Sequence, residues 1–341
     1  MMNLKKVTKK TEFYILITII LLVALVEIRS GQFLTGNNLV DLVRSMIIPG
    51  MFAIGCYMVL ISGGIDVSFP ALASLSMYAT TLIFLQMDYQ GSVWLIYAIA
   101  GIFGLLLGAI NAILIAKFKF QTLIVTLGTT SLFTGIMLGP LAASQINIPQ
   151  PMLDHGKAKL FTANNEQLGI SSDMPITVLL LIGLLLVAFF IMKYTMLGRG
   201  IYAVGGDEIS AQRAGFNVFA IHFFVYCFVG VLSGITGVAQ ASMMLTAKPT
   251  SMLGMELTVI AAVVLGGARL TGGTGTLTGT MLGVILMTIM SNSLILIGIP
   301  TYWQRIFTGA IIIIGTGISA YQVMKSKKRV TNIQKEAQGS V

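Results

Sequence analysis

Charge is scarce in this chain of 341 residues: Asp, Glu, Lys and Arg together make up 10% of it, and hydrophobic residues make up 56%. Its mean hydropathy of +0.90 lies far above the range of soluble globular proteins. A soluble core has no need of repeated apolar runs of about 20 residues, whereas a helix that crosses ~30 Å of hydrocarbon does. The composition therefore excludes a soluble domain and indicates a polytopic membrane protein.

Cysteine and histidine are also rare, with two of each. Cys56 and Cys227 fall within apolar runs, where a small polarisable side chain packs well, so neither a disulfide framework nor a metal site is predicted. His155 and His222 fall on opposite sides of the predicted membrane topology and cannot share a metal ion. The sequence has no H-E-x-x-H or G-x-S-x-G motif, which leaves hydrolytic and zinc chemistry without candidate residues. We therefore predict no catalytic residue and no enzymatic activity.

The glycine-rich run of residues 266–279 lacks the G-K-[ST] ending of a phosphate-binding loop, so ATP binding by this chain is not expected. No cofactor is predicted for the chain itself. Its 37 glycines instead favour close helix packing, because helix association in lipid depends on tight contact between backbones. The glycines to which we assign this packing role are Gly104, Gly108, Gly266, Gly267, Gly279 and Gly283.

The apolar runs predict an all-α fold with about ten transmembrane helices. The predicted helices cover residues 12–30, 43–61, 67–86, 92–116, 122–143, 174–193, 217–243, 254–268, 276–298 and 303–323. They form a single transmembrane domain over residues 12–323. A basic segment, 1–11, precedes this domain, and a polar tail, 324–341, follows it.

The distribution of basic residues predicts the orientation of the domain. An even number of spans places both termini on one side, and the side richer in Lys and Arg is the cytoplasm. Of the 21 Lys and Arg residues, those on the predicted outer side are Arg29, Arg44, Lys157, Lys159, Lys248 and Arg305. The remaining majority lies inside, which accounts for the formal net charge of +9 without a nucleic-acid partner. Both termini are therefore predicted to be cytoplasmic, and the first span is predicted to be uncleaved because no cleavage pattern follows it.

Two segments between spans are long enough to contact other molecules. Residues 144–173 face the exterior on this topology, and their mixed polarity fits either a docking surface for an external partner or a solvated connector. Residues 194–216, which we call the coupling segment, face the cytoplasm. Within that segment, residues 208–214 could form a short helix ended by Gly215, and such a helix could transmit force.

Capping residues and a glycine pair mark the start of this short helix. Asp207 and Ser210 are both plausible caps, because their side chains can accept a hydrogen bond from a free backbone N–H. Gly205 and Gly206 precede them and are expected to act as a flexible pair. The pair would let the helix seat itself in a groove on a cytosolic partner.

Ionisable groups are almost absent from the predicted spans, although an ion-coupled carrier or a membrane enzyme would need them there. Asp66 lies in a break between spans, where it or Ser68 could cap a helix that begins near Pro70. Glu256 starts a short span, where the helix dipole favours a carboxylate. The groups that could line or gate a path for a hydroxyl-rich solute are Gly63, Gly64, Asp66, Ser68, Asn111, Thr126, Thr129, Glu256 and Asn292.

Four motifs occur together in a fixed order along the chain. They are residues 63–68 (GGIDVS), residues 126–129 (TLGT), the segment 198–215, and the pair 254–267 and 272–276. Over about residues 40–320 the chain resembles the ribose-type permease subunits of ABC importers. It departs from that pattern at Asp207, where asparagine is common, and at Phe69-Pro70, where valine and glycine are usual.

The resemblance implies a permease in the bacterial plasma (inner) membrane that dimerises and receives a monosaccharide from an external binding protein. A separate cytosolic ATPase pair, which binds ATP and Mg, would drive it. The resemblance assigns ATPase coupling to Arg199, Tyr202, Ala203, Gly205, Gly206, Asp207, Ala211 and Gly215. Neither the sugar nor the identity of the second permease chain, a copy or a paralogue, follows from it.

Two alternatives to a sugar importer remain open. The first is an ion-coupled secondary carrier for a small neutral solute, with Asp66 and Glu256 as its coupling groups. The second is an ABC permease for nucleosides or branched-chain amino acids.

Overall fold

The computed structural model describes residues 11–165 and 169–296, together with single positions between 298 and 313. Its helices are α1 (Thr11–Ser30), α2 (Gly36–Ile61), α3 (Phe69–Gln86), α4 (Val93–Ala112), α5 (Thr122–Leu138), α6 (Gln150–Lys157), α7 (Thr177–Tyr194), α8 (Met196–Gly206), α9 (Glu208–Arg213), α10 (Val218–Met244), α11 (Glu256–Leu265) and α12 (Leu277–Leu296). A π-helical turn, Ile113–Lys117, extends α4, and the strands β1 (Lys159–Asn165) and β2 (Ile170–Pro175) form an antiparallel hairpin.

Seven helices of the described residues are long and apolar enough to cross a membrane, namely α1, α2, α3, α4 with its π turn, α7, α10 and α12. The apolar helices α5 and α11 are shorter. All nine coincide with predicted spans, although α2 begins at Gly36, ahead of the predicted residue 43. The predicted span 303–323 lies almost wholly outside the described residues, as do residues 1–10 and 324–341. The prediction of an all-α polytopic membrane protein is confirmed, and the number of ten spans stays a prediction.

The segment 144–173 is more ordered than its sequence indicated, since it contains α6 and most of the β-hairpin. The hairpin contacts the beginning of α2: Asn165 donates from Nδ2 to Asn37 Oδ1 over 3.2 Å, and Ser172 donates from Oγ to Asp41 Oδ2 over 2.9 Å. Within the hairpin, Lys159 pairs with Asp173. The segment therefore forms a folded cover over one end of the helices.

The segments between helices collect at two opposite sets of helix ends. In one set, Ile146 forms a backbone bridge with Ala247, and the hairpin covers the start of α2. In the other set, Thr276 donates to Glu12 over 2.8 Å and the Gly273 N–H donates to the Ile61 carbonyl over 2.9 Å. Each of these contacts joins segments that the predicted topology places on the same side of the membrane.

Glycine allows α4 and α10 to cross with their backbones in contact. A Cβ on Gly104 would clash with the carbonyl oxygen of Gly230, and a Cβ on Gly108 would lie 2.9 Å from the Cα of Gly230. A Cβ on Gly234 would likewise meet the carbonyl of Ala100. Such close approach is typical of helix association within lipid.

Glycines also join α11 to α12. A Cβ on Gly266 would clash with the Gly279 carbonyl, and a Cβ on Gly283 would clash with the Ala262 carbonyl. Gly267, to which we assigned a packing role, has a φ of +95° and follows the C-cap residue of α11. Its left-handed backbone therefore ends the helix.

We expect Gly104→Ala to destabilise the helix bundle, because the added methyl group forces α4 away from the Gly230 carbonyl. Overpacking of this kind costs about 1–3 kcal/mol. A thermal-unfolding assay in detergent checks the prediction. Gly183→Ala in α7 is the matched control, since no heavy atom lies within 4 Å of its Cβ position. Equal melting temperatures for the two variants would contradict the prediction.

Candidate functional site

The coupling segment folds into two short helices, α8 and α9, each with its own cap. Thr195 accepts the Gly198 N–H at its Oγ1 over 3.1 Å and so caps α8. Asp207 accepts the Ser210 N–H at its Oδ1 over 2.6 Å and so caps α9. Ser210, the other predicted cap, is thus the donor of this bond. The short helix begins at the expected residue and ends at Arg213, one residue before the predicted end.

Gly215 follows α9 with a φ of +89°, a backbone conformation that L side chains rarely adopt. There the Phe216 N–H donates to the Ala211 carbonyl over 3.1 Å, which completes the helix end. Gly215 is therefore the residue that lets the chain turn from α9 towards α10.

The expectation of a flexible glycine pair is wrong, because Gly205 and Gly206 form the last turn of α8. A Cβ on Gly205 would clash with the carbonyl oxygen of Ile61, the last residue of α2. A Cβ on Gly206 would meet no heavy atom within 4 Å. The first glycine is thus an internal contact, and the second lies on the surface.

The remaining residues of the coupling segment divide between surface and interior. Ala211 is 3% exposed, whereas Ile209, a large apolar residue, is 63% exposed. The half-buried Tyr202 donates from its hydroxyl to the Gly275 carbonyl over 2.9 Å and also bonds to the hydroxyl of Tyr57. The predicted coupling residues that are exposed are Arg199, Gly206, Asp207 and Gly215, and Ala203 is half-buried.

The Ser210 hydrogen bonds hold the pKa of Asp207 below its usual value. The cap is therefore fully present above the unfolded-state pKa, and it weakens as the pH falls through the lower folded-state pKa. We expect Asp207→Asn to retain the cap without this acid sensitivity, because an amide oxygen is an equally good N-cap acceptor.

Asp207→Leu removes the acceptor, so we expect loss of α9 helicity at every pH. Hydrogen exchange of the backbone amides of residues 208–213, measured between pH 3 and 7, checks both variants. Equal protection in Asp207→Asn and Asp207→Leu would contradict the capping role.

The connection of residues 62–68 between α2 and α3 is held by buried polar side chains. Asp66 accepts the Ser68 N–H and the Ser68 hydroxyl at its Oδ1, over 2.6 and 2.7 Å. Asn111 of α4 donates from Nδ2 to Ser68 Oγ over 2.8 Å. Ser68 occupies the N-cap position of α3 but makes no side-chain capping bond, so the carboxylate of Asp66 organises this turn.

The threonines of α5 bind the backbone of the same connection. Thr122 Oγ1 accepts the Ile65 N–H over 3.0 Å, and Thr126 Oγ1 donates to the Ile65 carbonyl over 3.4 Å. Thr130 Oγ1 lies 3.2 Å from the Val67 carbonyl and shares its one proton between that carbonyl and the Thr126 carbonyl at 2.6 Å. Thr122 and Thr130 are not among the site residues predicted from the sequence. The threonine spacing of four along α5, which puts all three hydroxyls on one face, is the signal that could have found them.

The predicted gate residues fall into two groups. Asp66, Ser68, Asn111, Thr126 and Thr129 are each at most 4% exposed, so in this conformation the chain's own helices enclose them. Gly63 and Gly64 belong to the same connection, and a Cβ on Gly64 would lie 2.5 Å from the Tyr226 hydroxyl. Path lining by these residues stays a prediction.

The second group comprises Glu256 and Asn292, which lie on α11 and α12. Glu256 accepts the Gly254 N–H at Oε2 over 3.0 Å, and it is the first residue of α11. This contact fits a carboxylate that stabilises a helix N-terminus. Asn292 is half-buried on α12.

An ion pair connects the coupling segment to the turn between α4 and α5. Lys119 Nζ lies 2.6 Å from Glu208 Oε1, and both side chains are about half exposed. Exposed pairs typically contribute about 0–1 kcal/mol, so this pair positions α9 more than it stabilises the fold. Sequence spacing could not reveal it, since the two residues lie far apart in the chain.

Comparison with known proteins gives relatives of nearly full length. A family model described as "Branched-chain amino acid transport system / permease component" matches residues 38–315. The ribose import permease protein of Bacillus subtilis (strain 168) is 32% identical over 307 residues, which cover 86% of this chain and 88% of the relative. The ribose import permease protein of Escherichia coli (strain K12) is 30% identical over 305 residues, which cover 88% of this chain and 90% of the relative. The L-arabinose ABC transporter permease protein of Azospirillum brasilense is 29% identical over 323 residues, which cover 94% of this chain and 90% of the relative. No solved structure matches the chain.

The matched region includes the coupling segment, the connection 62–68 and the glycine-rich run 266–279. It also contains five of the seven long apolar helices entirely and α2 from its third residue, and it leaves out α1. The chain is therefore a multi-pass membrane protein that belongs to this family of transport-system permease components.

Proposed function

We propose that this chain is the membrane-spanning permease subunit of an ABC importer that carries a monosaccharide into a bacterial cell across the plasma (inner) membrane. The observation that carries the proposal is its similarity, over most of its length, to permeases named for ribose, L-arabinose and xylose. The family description names branched-chain amino acids, which makes them the principal alternative substrate class. A sugar is the preferred substrate because relatives of nearly full length are named for ribose, L-arabinose and xylose.

The coupling segment is the proposed contact with a separate cytosolic ATPase, which would bind ATP and Mg. With this assignment the helix ends that carry α8 and α9 face the cytoplasm, and with ten spans both termini would face it as well. Three features of the surface support it. Ile209 is 63% exposed, the Cβ position of Gly206 is open, and Asp207 caps a short helix. A compact helix with an exposed apolar side chain suits insertion into a groove of a partner protein.

The opposite helix ends would receive the sugar from an external binding protein. The hairpin there exposes Leu160, Phe161 and Ile170, at 45%, 54% and 49%. Exposed apolar side chains on an ordered element fit a docking surface better than a solvated connector. A second permease chain, either a copy or a paralogue, would complete the path.

An ion-coupled carrier is the second candidate function, and one observation favours it. Asp66 is 3% exposed, and its Oδ2 has no hydrogen-bond partner in the described part of the chain. Buried carboxylates within membrane domains commonly serve proton or ion pathways.

Uptake by reconstituted vesicles distinguishes the two functions. The chain is placed in liposomes with its candidate ATPase and binding protein, and uptake of labelled ribose, arabinose, xylose and leucine is measured with internal ATP, with and without an uncoupler. We expect sugar uptake that needs ATP and the binding protein and that is insensitive to the uncoupler. Uptake by the chain alone, abolished by the uncoupler, would establish the carrier instead. ATP-driven uptake of leucine alone would reassign the substrate class.

A further inference from the structure

Glycines of three segments, far apart in the sequence, meet at one point of the structure. They are Gly63 after α2, the pair Gly205-Gly206 at the end of α8, and the pair Gly272-Gly273 in the connection between α11 and α12. Their contacts are between backbones. We call this contact point the glycine junction.

The end of α2 lies at the centre of the junction. The Ile61 carbonyl accepts the Gly273 N–H over 2.9 Å, and a Cβ on Gly205 would clash with the same carbonyl oxygen. A Cβ on Gly205 would also lie 2.8 Å from the Gly273 nitrogen. Gly205 therefore sits against both members of this hydrogen bond, and an added methyl group must displace one of them.

The other glycines complete the contact. A Cβ on Gly272 would lie 2.6 Å from the Gly205 carbonyl oxygen and 2.7 Å from the Gly63 Cα. A Cβ on Gly273 would lie 2.7 Å from the Gly206 Cα. Gly272 and Gly273 have φ values of +86° and +71°, which other residues rarely adopt. Close-packed backbones have no side chains that can rearrange, so a displacement of one is passed to the others.

A pair of tyrosines reinforces the junction. Tyr202 of α8 donates to the Gly275 carbonyl over 2.9 Å, so its bond with Tyr57 of α2 uses the Tyr57 hydroxyl as donor. Tyr57 is 1% exposed. The three chain segments that meet through glycine are thus also linked by a continuous row of hydrogen bonds.

The far side of the connection 62–68 is attached to different helices. Its Ile65 and Val67 are bound by threonines of α5, and its Ser68 is bound by Asn111 of α4. One end of the connection is therefore attached to the coupling segment, and the other end is attached to α4 and α5. A movement of α8 relative to α5 would therefore act on these seven residues.

We infer that the coupling segment acts on the 62–68 connection directly through the glycine junction, with Gly205 as the positioning residue that transmits the movement. This inference rests on the proposed function, and it assigns to the connection the part that changes shape when the ATPase closes. The ATPase would shift α8, the junction would carry the end of α2 with it, and the Asp66 turn would be strained against α5. Conformational transitions in proteins commonly switch a tightly packed contact between two discrete arrangements.

Gly205→Ala tests the inference in the complete importer, that is, the chain with its ATPase and binding protein in liposomes. Uptake and ATP hydrolysis are measured in the same vesicles, and assembly is measured by co-purification. We expect ATP-driven uptake to fall roughly tenfold or more, the change that a cost of about 1.4 kcal/mol in one conformation produces. We expect assembly and hydrolysis to persist, because the ATPase contacts the outer surface of α8 and α9. Gly183→Ala, at an open position of α7, is the matched control and should behave as the parent.

Tyr202→Phe is the second variant, and it tests the inference even if Gly205→Ala misfolds. It removes one hydroxyl without a change in packing, so we expect an assembled complex that imports fewer sugar molecules per ATP. Parent-like uptake in Gly205→Ala would overturn the inference. The inference would also be overturned if Gly205→Ala fails to assemble and Tyr202→Phe imports as many sugar molecules per ATP as the parent. The junction would then have a structural role only. Failure of the parent vesicles to take up sugar on ATP would instead contradict the proposed function.

Discussion

Gly206→Trp is expected to abolish ATP-driven sugar uptake in reconstituted vesicles while the membrane domain remains folded. The Cβ position of Gly206 meets no heavy atom within 4 Å, so a side chain can be attached there without a clash at the backbone. The indole would then occupy the space beside Asp207 and the exposed Ile209, where the ATPase is proposed to bind. Bulk at the centre of a close-fitting interface blocks association more effectively than bulk at its rim.

Co-purification of the ATPase with Gly206→Trp, together with an uptake assay, measures this effect. Gly183→Trp is the control, because Gly183 is equally open but lies on the spanning helix α7. A melting temperature close to that of the parent confirms that the domain is folded. Normal ATPase binding and normal uptake in Gly206→Trp would remove the coupling assignment from this segment.

Asp66→Leu is expected to reduce uptake roughly tenfold or more and to lower the melting temperature. The substitution leaves the Ser68 N–H without its acceptor in a buried turn, and an unsatisfied buried donor costs about 1–3 kcal/mol. The network that joins Ser68 to Asn111 would lose its organising group. The connection 62–68 would no longer hold one shape.

Asp66→Asn separates the structural role from ion coupling. The asparagine Oδ1 can accept both Ser68 bonds, so ATP-driven uptake by an importer should persist. A carrier that moves a proton on Asp66 would lose its activity, because an amide does not ionise in this range. Uptake that is normal in Asp66→Leu would contradict the structural role. Uptake that is abolished in Asp66→Asn would favour the carrier.

Much of the membrane architecture was predictable because lipid imposes a simple rule on sequence. Every backbone amide within the hydrocarbon must be satisfied inside its own segment, so apolar runs of sufficient length become helices whatever surrounds them. The runs at 12–30, 67–86 and 217–243 match α1, α3 and α10 closely for this reason. The β-hairpin was missed because its strands expose most of their residues, and no apolar alternation marked them.

The coupling segment shows which part of a site local sequence can predict. Asp207 and Gly215 mark the start and end of α9 because capping depends on residues only a few positions apart. The Lys119–Glu208 pair and the Tyr202–Gly275 bond depend on how distant segments approach each other. The sequence alone offered no signal for either contact.

The sequence by itself determined that the chain is a membrane protein, where most of its helices lie and where the coupling segment turns, because each of these depends on local composition. Only the tertiary structure decided what the glycine pairs do. The sequence suggested flexibility at Gly205 and Gly206, yet Gly205 is enclosed by the Ile61 carbonyl and Gly273, while Gly206 is open. Glycine permits both a free turn and the closest backbone contact, and only the neighbouring segments select between them.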